Sequence, residues 1–247
     1  MLQSDKDFIR YYDKLFHNKD YSQETNYILK AFEKFGTKKI NHILDLGCGT
    51  GNHTIEFSNL GYNITGLDLD RLMIDISKSK SDDIDFIYGD IKDYSFDYKF
   101  ELIFSFFNVI NYIDNISAMS DFLSGVYKNL DEGGIFVFDG WNGNQVCIDP
   151  PKTKEIYIED EDFVAKGFLY PNYDAFYNKA NFQYKININD NGYEVMYENS
   201  LPQTYWTPFV LKQLLGNVGF SSVHIFGHLS TKLAKADDYK LCWICVK

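Results

Sequence analysis

The sequence predicts an α/β fold: a doubly wound parallel sheet with helices on both faces, preceded by a helical arm and interrupted late by an antiparallel β insertion. Three observations predict it. Apolar runs of strand length alternate with helical periods from His42 to Phe138, the pattern of a parallel sheet covered on both sides. A loop with three alternate glycines joins the first run to the first helix of this series. After Trp141 the period changes to longer strands with a polar face, as antiparallel hairpins require.

Asp7 to Phe35 has helical periodicity, rich in tyrosine and broken around His17-Asn18-Lys19-Asp20. His42 to Leu46 is a buried strand, Asn52 to Leu60 a helix and Asn63 to Leu67 a second strand. Asp70 to Ser79 is a helix that Asp70 is placed to cap, because a short side-chain oxygen satisfies first-turn N–H groups. Asp85 to Tyr88 and Glu101 to Phe107 are the third and fourth strands. Ser117 to Leu130 is a helix ended by Asp131-Glu132-Gly133-Gly134, and Ile135 to Phe138 is the fifth strand. The insertion holds strands at Glu155 to Ile158, Phe163 to Leu169, Phe176 to Ile188 and Tyr193 to Glu198, with Asp190-Asn191-Gly192 as a tight turn. Pro208 then starts a helix running through Phe209 to Val218, Gly219 stops it, and Ser222 to Phe226 and Lys240 to Val246 return to the core. The expected organisation is an arm over 1–40, a core over 41–141 and 206–247, and a cap over 142–205.

The 247 residues are 45% hydrophobic, enough for a sizeable core, which excludes disorder and fibre. Lys and Arg number 24 against 35 Asp and Glu, and the net charge of -11 repels phosphate backbones, so nucleic acid is not an expected partner. Met1 to Arg10 has no apolar leader core, and no run approaches the roughly 18 apolar residues of a membrane span, so a cytoplasmic location and no membrane partner are expected. Cys242 and Cys245 look like half of a zinc or redox site, but residues three apart on a strand face opposite ways. They are expected to be core thiols, with no metal bound.

The most informative stretch is Ile43-Leu44-Asp45-Leu46-Gly47-Cys48-Gly49-Thr50-Gly51, a buried strand followed by a glycine turn and a helix. Ligands bind at such strand ends, where glycine lets backbone approach them closely. Asp68, at the end of the second strand, is spaced to accept both hydroxyls of a ribose. A dinucleotide fingerprint needs glycine where Asn52 stands, and Asp45 would repel a pyrophosphate. S-adenosylmethionine carries an ammonium and a sulfonium and no phosphate, so the loop favours it over NAD, the runner-up cofactor.

The run Asp45-Leu46-Gly47-Cys48-Gly49-Thr50-Gly51 resembles the first motif of class I S-adenosylmethionine-dependent methyltransferases. The resemblance implies a Rossmann-like sheet of seven strands with the last antiparallel. It implies that Asp45, Gly47 and Gly49 meet the methionine part of the cofactor, Asp68 the ribose and Leu69 the adenine. Asp90 and Ile91 resemble the pair at the adenine edge, and Phe106, Phe107 and Asn108 the floor under the methyl group, with at most one of the two phenylalanines facing the cleft. Tyr12-Asp13, Lys19-Asp20-Tyr21 and the β insertion resemble more specifically the N-methyltransferases of nucleotide-linked amino sugars. That likeness implies that Tyr12 and Tyr21 close over the cofactor and that the cap shapes a sugar pocket or a homodimer contact.

Methyl transfer from a sulfonium is an in-line displacement that positioning and exclusion of water can accelerate, so no nucleophilic side chain is required. An amine or hydroxyl acceptor must shed a proton, which leaves a role for a base. Relatives of that kind tend to have histidine where Tyr112 follows Asn111, so Tyr112, Tyr12 and His17 are the catalytic candidates, with His53 expected to be a solvated helix residue. Asn111, Tyr112, Trp141, Tyr205 and Trp206 are the candidate substrate contacts, although a core role for Tyr205 and Trp206 weighs equally. Tyr170 to Tyr177 is an aromatic cluster better suited to cap core or a subunit interface. The partner is therefore a small-molecule acceptor, first an amino group of a sugar. An O-acceptor such as a surface-polysaccharide precursor, and a cofactor-binding protein without turnover, remain the alternatives.

Overall fold

The structure is a computed structural model that describes residues 6–247, with side chains from Phe8 onward. The arm forms α1 (Lys6–Leu15) and α2 (Tyr21–Phe35), and its first five residues lie outside the described ones. Asp20 starts α2 by accepting the N–H of Gln23 at 2.8 Å. The core follows as β1 (Ile43–Leu46), α3 (Asn52–Asn59), β2 (Ile64–Asp68), α4 (Arg71–Lys80), β3 (Asp85–Tyr88), β4 (Phe100–Ser105), α5 (Ile116–Asn129), β5 (Leu130–Trp141) and α6 (Gly143–Ile148). Next come β6 (Lys154–Asp160), β7 (Phe163–Asp174), β8 (Lys179–Asp190) and β9 (Tyr193–Thr204), then α7 (Pro208–Val218), β10 (Ser222–Gly227) and β11 (Lys240–Val246).

Seven strands form one sheet in the order β10-β11-β5-β4-β1-β2-β3, parallel except for β11, while β6 to β9 form an antiparallel meander. The chain winds outward from β1 through β2 and β3, then resumes on the other side at β4. The carboxyl ends of β1 and β4 therefore flank the crevice where open α/β sheets bind ligands. Ile28, Phe32 and Phe57 from α2 and α3 cover one face, against Ile43, Phe104 and Ile244. Phe122, Val126 and Leu215 from α5 and α7 cover the other, against Leu44, Phe136 and Trp243. Cys242 lies in the first layer and Cys245 in the second, as strand alternation demands. Among the described residues, no helix is long and apolar enough to cross a membrane.

Local chemistry explains the boundaries. Asp70 caps α4 by accepting from Leu72 and Met73, Thr207 caps α7 ahead of Pro208, and Gly219 ends α7 at φ 114°. Asn191 and Gly192, at φ 52° and 82°, turn β8 into β9. Four expectations need correction. β5 begins at Leu130, because the Asp131 to Gly134 segment joins the strand, with Gly133 turned to φ 75° and a register shift against Phe100 to Leu102. β8 begins at Lys179, since Phe176 and Tyr177 lie in a turn whose N–H groups both donate to Asp174. β4 stops at Ser105, and Phe107 and Asn108 take left-handed φ values of 72° and 61°. The short helix α6, capped by Asn142, was not anticipated; one and a half turns are too few to show a period.

Candidate cofactor and acceptor site

The glycine loop is built by its neighbours before any ligand is considered. Gly47 and Cys48 donate their N–H groups to Leu67 O at 2.8 and 3.1 Å, which ties the loop to β2. Gly47, Gly49 and Gly51 all have positive φ, but for different reasons. A Cβ on Gly47 would stand 2.7 Å from Val109, and one on Gly51 2.8 Å from Phe86, so these two positions serve packing. A Cβ on Gly49 would meet nothing within 4 Å. Gly49 is thus the member of the trio with open space above it.

Asp68 sits beside that space. Its Oδ2 accepts the N–H of Gly49 at 2.8 Å and its Oδ1 that of Asp70 at 2.8 Å, fixing the carboxylate plane. Each oxygen keeps a second lone pair, so two hydroxyls can still donate. Burial lifts the Asp68 carboxyl above its ordinary value, against the pull of those N–H groups, so added donors from a ribose would be favoured. Tyr12 faces the same cleft: burial pushes its phenol well up, and Tyr21, Tyr112, Asp68 and Asp13 push it the same way. Tyr112 is half-exposed there, and its phenol is raised by burial and by Asp68.

Asp45 lies beneath the loop. It is 2% exposed, accepts from Thr54 Oγ1 at 2.7 Å, and burial pushes its carboxyl up to about 6 despite His53 and Thr54. His53, expected in solvent, is a correction: it is buried, with Nε2 2.5 Å from Glu24 Oε2 and Tyr21 edge-on at 4.9 Å. Burial opposes ionisation of Glu24, but His53 and Lys19 prevail and hold its carboxyl at about 2. Lys19 pairs with Glu24 and lies 4.6 Å over Phe107.

At the end of β4, Phe106 is also corrected. It is 2% exposed and packs with Phe104 and Ile244, while Phe107 takes the other direction, edge-on to Phe16 at 5.2 Å. Asn108 donates its N–H to Asp139 Oδ1 at 2.7 Å. Asn111 is 1% exposed and donates from Nδ2 to Thr204 O at 2.7 Å. The carbonyl oxygens of the Asn108, Asn111 and Gln203 side chains are buried without a hydrogen-bond donor. Tyr205 and Trp206 prove to be core. Tyr205 stacks on half-buried Trp141 at 5.0 Å, and Trp206 donates Nε1–H to Ile110 O. His17 is exposed, with Nδ1 2.9 Å from Lys14 O, in an outer groove of about 450 Å³ shared with Asp160, Glu161 and Asp162. It does not line the cleft with Tyr112. Asp90 turns back to accept the N–H of Lys92, Ile91 packs on the α5 layer, and Leu69 is half-buried beside Asp68.

Sequence reasoning missed Asp139, Lys240 and the part played by Asp13. Asp139 had a signal, an acid near the carboxyl end of a strand like Asp45 and Asp68. Its pairing with Lys240, at 2.5 Å, spans 101 positions and has no local trace.

The seven-stranded sheet, the glycine turn and the acid on β2 form a Rossmann-like domain, the arrangement that the resemblance to class I S-adenosylmethionine-dependent methyltransferases implies. Residues 43–134 match a family model described as Methyltransferase domain. A relative named dTDP-3-amino-3,4,6-trideoxy-alpha-D-glucopyranose N,N-dimethyltransferase, from Streptomyces venezuelae, is 26% identical over 148 residues, 60% of this chain and 62% of its own. The crystal structure of DesVI from Streptomyces venezuelae superposes with a TM-score of 0.83 at 17% identity, covering 99% of each chain. CalS10 from Micromonospora echinaspora, an amino pentose methyltransferase solved with SAM bound, superposes with a TM-score of 0.77 at 13% identity, covering 99% of this chain and 98% of its own. The chain spans 55 to 65% of the length of the first three curated relatives it matches. In fold and in residue order it resembles the amino-sugar N-methyltransferases; other relatives are named Cypemycin N-terminal methyltransferase and Malonyl-[acyl-carrier protein] O-methyltransferase 1.

Proposed function

We propose that this protein transfers a methyl group from S-adenosylmethionine to a small-molecule acceptor, an amino group of a sugar, carried in the first instance on a nucleotide. The observation that carries the cofactor reading is the Asp68 carboxylate, locked by the Gly49 and Asp70 N–H groups beside the open space over Gly49. These residues fit an adenosyl ligand: Asp68 for the ribose, Gly49 for close approach, and Tyr12 and Tyr21 to cover it. Asp45 and Asp68 disfavour a pyrophosphate near the loop. When bound, the cofactor supplies an electrophilic methyl on a sulfonium.

The acceptor reading is supported by the orphaned carbonyl oxygens of Asn108, Asn111 and Gln203. Buried acceptors without donors are costly, so they favour a ligand that brings N–H groups. An amine offers two where a hydroxyl offers one. Half-exposed Tyr112 and half-buried Trp141 leave aromatic surface that an acceptor could use. With His17 turned outward, Tyr112 is the polar side chain best placed to orient the acceptor.

The deciding experiment incubates the protein with S-adenosylmethionine and a panel of amino-sugar nucleotides, plain sugars and small amines, read by mass. One or two methyl gains on an amino sugar are expected. Gain on a hydroxyl compound alone would transfer the proposal to O-methylation, and S-adenosylmethionine binding without any product would mark a non-catalytic binder.

A further inference from the structure

The helix α1 touches three parts of the molecule that the proposed reaction must coordinate. Phe8, Tyr12 and Phe16 recur at i and i+4, so they form one stripe along it. Phe8 stacks on Tyr197 of the cap at 4.7 Å, Tyr12 follows at 6.2 Å from Phe8, and Phe16 lies 4.8 Å from Tyr12 and edge-on to Phe107. Phe8 and Leu15 also pack with Phe163, Ala165, Ile186 and Ile188 of the cap sheet. The stripe therefore roofs the cleft from the cap to the turn after β4.

Asp13 projects from the adjacent face. Its Oδ1 accepts from Thr50 Oγ1 at 2.6 Å and from Asn52 Nδ2 at 2.9 Å, and its Oδ2 meets Lys80 Nζ at 2.6 Å. Lys80 donates in turn to Thr50 O at 2.8 Å and to Asn52 Oδ1 at 2.9 Å. One carboxylate thus ties α1 to the glycine loop, to the first residue of α3 and to the last residue of α4. Burial opposes the charge on Asp13, but Lys80, Thr50 and Asn52 keep its carboxyl below the ordinary value, so the tie is ionised at neutral pH.

We infer that Asp13 is a positioning residue, the latch that holds α1 and Tyr12 closed over the cofactor cleft, and that cofactor exchange requires its release. The inference rests on the cofactor reading above. Tyr12 lies near enough to Asp68 for that carboxylate to raise its phenol, and its neighbour Asp13 is fastened to the loop whose Gly49 N–H Asp68 accepts. A ligand over Gly49 cannot leave while both contacts hold.

The test compares Asp13→Ala, Lys80→Met and the double variant in the full chain. Stopped-flow release of S-adenosylhomocysteine is expected to be about threefold faster or more in each single variant, a discount on charge-assisted hydrogen bonds for partial exposure. The double variant is expected to be no faster than the faster single, because both break one tie. A smaller rise in either, or effects that multiply, would overturn the latch. Hydrogen exchange over residues 8–16, against 21–35 as internal reference, reads the same claim without ligand: selective acceleration in Asp13→Ala supports it and equal exchange overturns it. If the unaltered protein binds no S-adenosylhomocysteine, the cofactor reading fails while the exchange measurement still decides the latch.

Discussion

Asp139 accepts the backbone N–H of Asn108 at 2.7 Å, and its other oxygen meets Lys240 Nζ at 2.5 Å. Phe107 and Asn108 occupy left-handed backbone at φ 72° and 61°, which side chains other than glycine rarely adopt. A fully buried carboxylate thus holds the strained turn that follows β4. Asp139→Ala should cost about 3 kcal/mol in urea unfolding, because it strands Lys240 and frees the turn. Asp139→Asn, which keeps an acceptor for Asn108, should fall between the alanine variant and the parent. Equal stability of parent and alanine variant would contradict the clamp.

Asp68→Ala removes the carboxylate from beside Gly49. Calorimetry should show cofactor affinity reduced by about 1.5 to 3 kcal/mol, the value of hydrogen bonds to a charged group. The same titration on Asp90→Ala should show a smaller loss, since the Lys92 ammonium, 3.4 Å from Oδ2, already pairs that charge. Unchanged affinity in Asp68→Ala would remove the ribose assignment.

Gly49→Ala and Gly47→Ala separate binding from folding. At Gly49 an added methyl meets only open space, and the cost of φ +55° is about 1 to 2 kcal/mol, so the variant should fold yet bind S-adenosylhomocysteine poorly. At Gly47 the same methyl would stand 2.7 Å from Val109, adding overlap to strain, so thermal stability should fall further. The reverse ranking of the two melting temperatures would count against this division of labour.

The pH dependence of stability should have opposite slopes from two buried acids. Burial puts the Asp45 carboxyl at about 6 in the folded chain, above its usual 3.8, so between those values the folded state binds more protons than the unfolded. Stability from this group therefore falls as pH rises from 4 to 6, by about 3 kcal/mol at most. Glu24 behaves oppositely: its depressed carboxyl contributes stability above about 4.5 that is lost as pH falls towards 2. Urea midpoints for Asp45→Asn should show a shallower decline between pH 4 and 6, the remainder coming from Asp68, whose carboxyl burial also raises, and an identical decline would refute the assignment.

Local chemistry made much of this protein legible. Asp70, Thr207, Gly219 and the Asn191-Gly192 turn each set a boundary through a hydrogen bond or a backbone angle within a few residues. Strand alternation alone put Cys242 and Cys245 on opposite layers. The glycine trio was legible as a loop, but its inner division was not, because the atoms that crowd Gly47 and Gly51 belong to Val109 and Phe86.

What the chain determined by itself is the series of elements and the acid and glycine positions that close approach to a ligand demands, since these follow from neighbouring residues. The tertiary structure decided which side chains meet. It buried His53 on Glu24, withdrew Tyr205 and Trp206 into the core, turned His17 outward, and brought Asp13 to Lys80 and Asp139 to Lys240. The physical reason is range. Caps and turns are settled by hydrogen bonds a few residues apart, whereas an ion pair or a buried ring depends on packing between segments whose separation along the chain carries no periodic mark.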